Sequence, residues 1–147
     1  MKKSTRRSIV SAFVDTFKGL QGTAPYNIDL QNNVYPTLKF WDEVVDFPAV
    51  YVVAGSENRE YLPGGFVWGY INVAIKAYTK GENSTDQLEV LLEDLETAID
   101  ATNGSLVYNE QGHETTQISI TSITTDEGLL QPYAVGEVNL LVRYQVM

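Results

Sequence analysis

Apolar and polar positions alternate with a period of two from Phe66 to Tyr78. Val67, Gly69, Ile71, Val73, Ile75 and Ala77 fall on one side, and Trp68, Tyr70, Asn72, Ala74, Lys76 and Tyr78 on the other. Successive side chains of a strand point to opposite faces, so this stretch predicts a long strand. The period then changes. Thr79 to Asn83 is a polar break, after which Leu88, Leu91, Leu92, Leu95, Ala98 and Ile99 recur at helical spacing. Ser84 with Gln87 three residues on has the form of a capping box and predicts the helix start. Asn103-Gly104 predicts its end, because glycine suits the left-handed residue beyond a helix C-terminus. A long strand, a tight connection and an amphipathic helix imply a sheet with a helix laid on it.

The flanking segments extend this picture. Ser4 to Gly19 predicts a first helix, with Ile9, Val10, Phe13, Val14 and Phe17 on one face and Arg6, Arg7, Asp15 and Lys18 mostly off it. Gln21 to Tyr35 is turn-rich, with a short strand at Ile28 and Leu30. Pro36 to Trp41 alternates enough for a strand. Phe47 to Ala54 is a stronger, almost wholly apolar strand, which predicts a central position covered on both faces. Gly55 to Gly65 connects it to the long strand. Its Pro63-Gly64-Gly65 turn would let the two strands run on as one extended hairpin. Tyr61, Leu62 and Phe66 near the tip are more apolar than a plain turn requires. They either fold back onto the core or form an arm that packs on a neighbouring subunit. Tyr108 to Thr116 reads as a mobile polar loop. Gln117 to Thr124 predicts another strand. Tyr133 to Val146 predicts the last, with Ala134, Gly136, Val138, Leu140, Val142, Tyr144 and Val146 sharing one face. The expected fold class is α+β (mixed α/β). It is one domain over residues 1–147 with a mostly antiparallel sheet, long hairpin strands and two main helices packed on one face.

Charge narrows the function. The net charge is −9, unevenly placed. Lys2, Lys3, Arg6, Arg7 and Lys18 belong to the first helix region, whereas Gly81 to Val142 holds no Lys or Arg and many Asp and Glu. A nucleic-acid groove needs clustered cations to replace counterions, so the pattern argues against one. Opposed charge on two parts of one chain suits head-to-tail contacts between copies. Basic residues at the N-terminal end of a helix oppose its dipole, which points to a contact outside that helix. Zero cysteines exclude disulfides and thiolate metal sites. The basic start resembles a signal n-region, but Ser11, Asp15, Thr16 and Lys18 interrupt the segment after it, which lacks a continuous apolar run. No run approaches the ~18 apolar residues of a membrane span. The expectation is a protein made in the cytoplasm, or in an assembly built there, with no membrane partner.

Catalytic chemistry is missing from the pattern. His113 is the only histidine, so neither a Ser-His-Asp arrangement nor a histidine-rich zinc site can be assembled in the usual way. Glu89 and Glu93 share a helix face but lie off the buried stripe, without the burial that tunes catalytic carboxylates. Gly64-Gly65 precedes a strand and not a helix, so it is no phosphate loop. No enzyme, metal or cofactor is expected.

The order helix, turn-rich segment, two strands, long hairpin, acidic helix, loop, strand and long final strand resembles the tail terminator and tail completion proteins of long-tailed bacteriophages, the family of lambda's minor tail protein U. Phe47-Pro-Ala-Val-Tyr-Val-Val-Ala-Gly-Ser-Glu57 looks like that family's apolar Pro-Ala-Val strand with its Gly-x-Glu turn. Gly69 to Lys80, then Ser84 to Ile99, looks like its strand ending in Tyr-x-x-Gly followed by a leucine-rich helix. Tyr133 to Tyr144 looks like its final strand. The resemblance implies a ring, typically a hexamer. The ring would cap the tail tube, stop its polymerisation and join the head connector or head-closure protein at the head-proximal end of the virion tail. DNA would pass through the lumen unread. It further implies interface roles for Arg59, Tyr61, Leu62, Phe66, Arg6 and Arg7, and a lumen lined by the second helix, at Glu89, Glu93, Glu96 and Asp100, or by the Tyr108–Thr116 loop. Two other readings stay open at this point: a head-closure or head–tail connector protein, and a monomeric α+β ligand-binding module.

Overall fold

The period-two stretch is the centre of the sheet. In the computed structural model, which describes residues 3–147, it forms strand β3, Phe66–Lys80. Lys2 of the basic cluster lies outside the described residues. The other elements are helix α1 (Thr5–Lys18), β1 (Val34–Tyr35), β2 (Ala49–Leu62), helix α2 (Ser84–Ala101), β4 (Thr115–Thr125) and β5 (Tyr133–Gln145). The sheet order is β1-β2-β3-β5-β4. Every pairing is antiparallel except β1 with β2. The fold is therefore the expected mixed α+β domain.

Alternation decides which face is buried. Ile71, Val73, Ile75 and Ala77 of β3 and Ala134, Val138, Leu140, Val142 and Tyr144 of β5 point to one side and are buried. Both helices lie on that side. Ile9, Val10, Phe13, Val14 and Phe17 of α1 and all six apolar stripe positions of α2 complete one core. Gly136 permits the close approach of α2: a Cβ there would stand 3.1 Å from both Leu88 and Leu92.

Local signals were overruled at four places. Pro36 to Trp41 forms no strand. Leu38 and Phe40 are exposed, and the segment ends in a 3-10 turn at Trp41–Glu43. Side chains hold it there instead of a ladder: Trp41 packs on Tyr133 at 5.0 Å, and the Tyr78 hydroxyl donates to the Lys39 carbonyl at 2.7 Å. The short strand falls at Val34–Tyr35 and not at Ile28–Leu30, where only an isolated Gln21–Asp29 bridge forms. The strand after Phe47 is not central, because β1 pairs only with Val50 and Tyr51. Its apolar run is still buried on both faces. Val50 and Val52 enter the main core, and Ala49 and Tyr51 enter a second cluster with Val44 and Tyr78 on the opposite face. Finally, Ser84 does not cap α2. The cap position is Asn83, with no side-chain cap bond, and Ser84 is the first helical residue. Its hydroxyl is buried without a partner, while its carbonyl accepts from Thr79 Oγ1 at 2.7 Å. That contact draws Ser84 into the core and away from the capping geometry. Ser4 does cap α1: its Oγ accepts from the Arg7 N–H.

Candidate functional site

The Gly55–Gly65 connection is mostly strand. After a bulge between Ala54 and Glu57, β2 resumes pairing with β3 from Glu57↔Ile71 to Leu62↔Phe66. Pro63-Gly64-Gly65 closes the hairpin, with both glycines at positive φ (86° and 82°). Ile71 is the last β3 position in the helix-covered core. Beyond it β5 stays paired with β3 as far as Trp68, and the Val146 N–H still donates to the Val67 carbonyl, so it is the tip of the hairpin, residues 61–66, that projects as an arm. At its tip Tyr61, Leu62 and Phe66 are 71%, 41% and 55% exposed, so they do not fold back onto the core of their own chain.

The base of the arm is locked. Glu57 lies between two guanidiniums, with Arg6 Nη1 at 3.3 Å and Arg59 Nε at 3.0 Å. The Tyr144 hydroxyl donates to Glu57 Oε2 at 3.0 Å. Arg6 also donates to the Gly55 carbonyl, and Arg7 to the Pro36 carbonyl at 2.9 Å. The contact outside the helix that the α1 charges required is thus within the chain. Burial, followed by the bond to Glu57, pushes the Tyr144 hydroxyl above its ordinary pKa. Nothing in the alternation marked Glu57 or Tyr144 as partners. The only local trace was Gly69, the one residue in β3 that lets the Tyr144 ring lie against the backbone.

The acidic helix divides in two. Glu89, Glu93 and Asp100 are exposed and Glu96 is half-buried, away from the core side of α2. Asp94 is different: it is 1% exposed. Its carboxylate accepts from the Asn27 N–H at 2.9 Å and the Ile28 N–H at 2.7 Å, fixing the turn-rich segment onto α2. Its position three residues after Leu91, on the buried stripe, was the available signal.

Tyr108 to Thr116 is a hydrogen-bonded turn and not an open loop. Val107 bridges Glu114, and Tyr108 N–H donates to the His113 carbonyl at 3.0 Å. His113 N–H donates to Asn109 Oδ1 at 3.0 Å. Tyr108 is buried edge-on to Tyr144. The turn borders a cleft of about 600 Å³ with Lys3, Thr5 and Ser8 of the α1 end. A smaller cleft of about 240 Å³ lies between Tyr35, Lys39, Val45, Asp46 and Tyr51, at the end of β2 remote from the arm tip. Among the described residues no cluster of three His, Cys, Asp or Glu could hold a metal, and no helix is long and apolar enough to cross a membrane.

Residues 3–147 match the family of bacteriophage tail tube terminator proteins. The tail tube terminator protein p142 of Escherichia phage T5 is 39% identical over 151 residues, which cover 95% of this chain and 93% of that protein. Among solved structures, a chain from the virion of a native gene transfer agent particle is similar with a TM-score of 0.66 and 10% identity. The match covers 99% of this chain and 100% of the other, and at that identity it shows a shared fold.

Proposed function

The chain belongs to the bacteriophage tail tube terminator family, a structural family and not an enzyme one, and from that premise we propose that it works as a homo-oligomeric ring of about six copies. The family selects the terminator reading over a head-closure connector and over a monomeric ligand-binding module. A tail terminator is a component of the virion tail and associates with the tail tube. The ring, made in the host cytoplasm, sits at the head-proximal end of the tube. It covers the last layer of tube subunits, so that no further layer adds. Its other face meets the head connector or head-closure protein. DNA passes through the lumen.

The observation that carries this reading is the arm: a hydrogen-bonded hairpin extended beyond the core, with three large apolar side chains in solvent. A monomer gains nothing from such a tip, whereas an assembly buries it. Arg59, Tyr61, Leu62 and Phe66 form the subunit or tube contact, Arg6 braces the base of the arm at Gly55 and Glu57, and Arg7 contributes from beside β1, where it holds the Pro36 carbonyl. Glu89, Glu93, Glu96 and Asp100 face the lumen, where like charge repels the DNA backbone and lets it slide. The test is tube growth. Purified tail tube protein polymerising in the presence of this chain should stop at short, capped tubes in electron micrographs. Tube lengths unchanged at saturating protein would overturn the proposal.

A further inference from the structure

The arm tip and a cleft at the other end of β2 are exposed apolar sites that differ in shape. The tip is convex. The other site is the cleft of about 240 Å³ at Tyr35, Thr37, Lys39, Val45, Asp46 and Tyr51. The Tyr35 and Tyr51 rings stack at 5.2 Å in its wall, and Val45 is 81% exposed beside it. Small-molecule sites run to about 300–1,000 Å³, so this cleft is of a size for one or two side chains. Charge matches as well as shape. Lys39 and Asp46 border the cleft, and Arg59 and Glu60 flank the tip.

We infer that the arm tip of one copy, at Leu62 and Phe66, seats in the Tyr35–Val45–Tyr51 cleft of the next copy. The inference rests on the ring reading above and names its contact. Distance excludes the alternative that one chain fills its own cleft. Tyr51 and Leu62 both belong to β2, their partners on β3 are Lys76 and Phe66, and at about 3.3 Å per residue they stand roughly 33 Å apart. Unlike surfaces at the two ends of one strand make a head-to-tail contact, and a repeated head-to-tail contact closes into a ring when the rotation allows. Apolar burial supplies the attraction, and the Arg59–Asp46 and Glu60–Lys39 pairings set the register.

The chain has no cysteine, so engineered thiols report without background. Leu62→Cys and Val45→Cys each change an exposed side chain. The two single variants, mixed and treated with a short bismaleimide, should give a cross-linked pair of twice 16.4 kDa. Neither variant alone should, and the Leu62→Cys and Val45→Cys double variant should give a ladder that ends at the ring. Leu62→Cys mixed with Val107→Cys, exposed and beside the Thr115↔Tyr144 pair at the opposite end of the sheet from the cleft, should give none. Light scattering on the same samples separates the two ideas. A ring mass without a 62–45 product overturns this contact and leaves the ring intact. So does a product from Leu62→Cys alone, or a Leu62→Cys link only to tube protein. A chain that stays at 16.4 kDa, both free and with tubes added, overturns the ring and this contact with it.

Discussion

The Tyr144 ring lies against the bare backbone of Gly69, and its hydroxyl donates to Glu57 at 3.0 Å. A Cβ on residue 69 would stand 2.5 Å from the ring. Three elements meet in this contact: the end of β5, the base of the β2 arm and, through Arg6, the start of α1. The arm is therefore built on a fixed base.

Gly69→Ala should force the buried ring aside. The expected cost is about 1–3 kcal/mol of overpacking, read as a lower denaturant midpoint. Tyr144→Phe removes only the hydroxyl, leaves Glu57 its two arginines, and should cost about 1–2 kcal/mol. The double variant should cost less than the sum, because both changes break the same contact. Strict additivity would show that the two residues do not act together.

Asp94→Ala should be among the most damaging single changes in α2. It leaves the Asn27 and Ile28 N–H groups without their acceptor, at about 2–4 kcal/mol for two part-buried donors. Glu93→Gln, one residue away and exposed, should stay within about 0.5 kcal/mol. Thermal melts of both variants check the contrast.

These two neighbours show how far the chain could be read in advance. The β3 and β5 alternation, the α2 stripe and the extended hairpin were legible because each repeats over many residues, and the packing obeys the same period. Single contacts between distant segments were not. Ser84 looked like a cap but is drawn inward by Thr79. Pro36 to Trp41 alternated, yet Trp41 and the Lys39 carbonyl are claimed by Tyr133 and Tyr78. Asp94 was only one of the many acids between Gly81 and Val142 in the sequence, and the turn at Asn27 sets it apart. Within the candidate site, the apolar tip was visible in the sequence, whereas Glu57 and Tyr144 at its base were not. They are 87 residues apart and meet only through β3.

Stability should fall at high pH. Burial pushes the Tyr78 hydroxyl up to about 12 from 10.0, and burial is also the first cause of the upward shifts of Tyr51, Tyr108 and Tyr144. The folded chain keeps these protons to higher pH than the unfolded chain. Their contribution is complete below the ordinary tyrosine value and is lost as pH rises through the folded values. For Tyr78 the loss falls between about pH 10 and pH 12 and amounts to roughly 2–3 kcal/mol. Urea titrations across that range should show the decline, and Tyr78→Phe should flatten it.

Asp100 sits in the last turn of α2, which has no basic residue. Negative charge there opposes the helix dipole. Asp100→Asn should therefore stabilise the isolated chain by about 0.3–1 kcal/mol. Charge reversal at Glu89, Glu93, Glu96 and Asp100 should leave folding intact and slow DNA ejection, because a basic lumen would hold the polyanion. Phages carrying the reversed helix and ejecting at the normal rate would remove α2 from the lumen.

The most direct measurement of the ring is the number of copies of this chain at one tube end. It can be read from light scattering of the purified protein and from images of capped tail tubes. The expected result is a closed ring of about six subunits, each of 16.4 kDa, on the end of every terminated tube. A chain that remains monomeric in solution and attaches as a single copy to the tube end would contradict it.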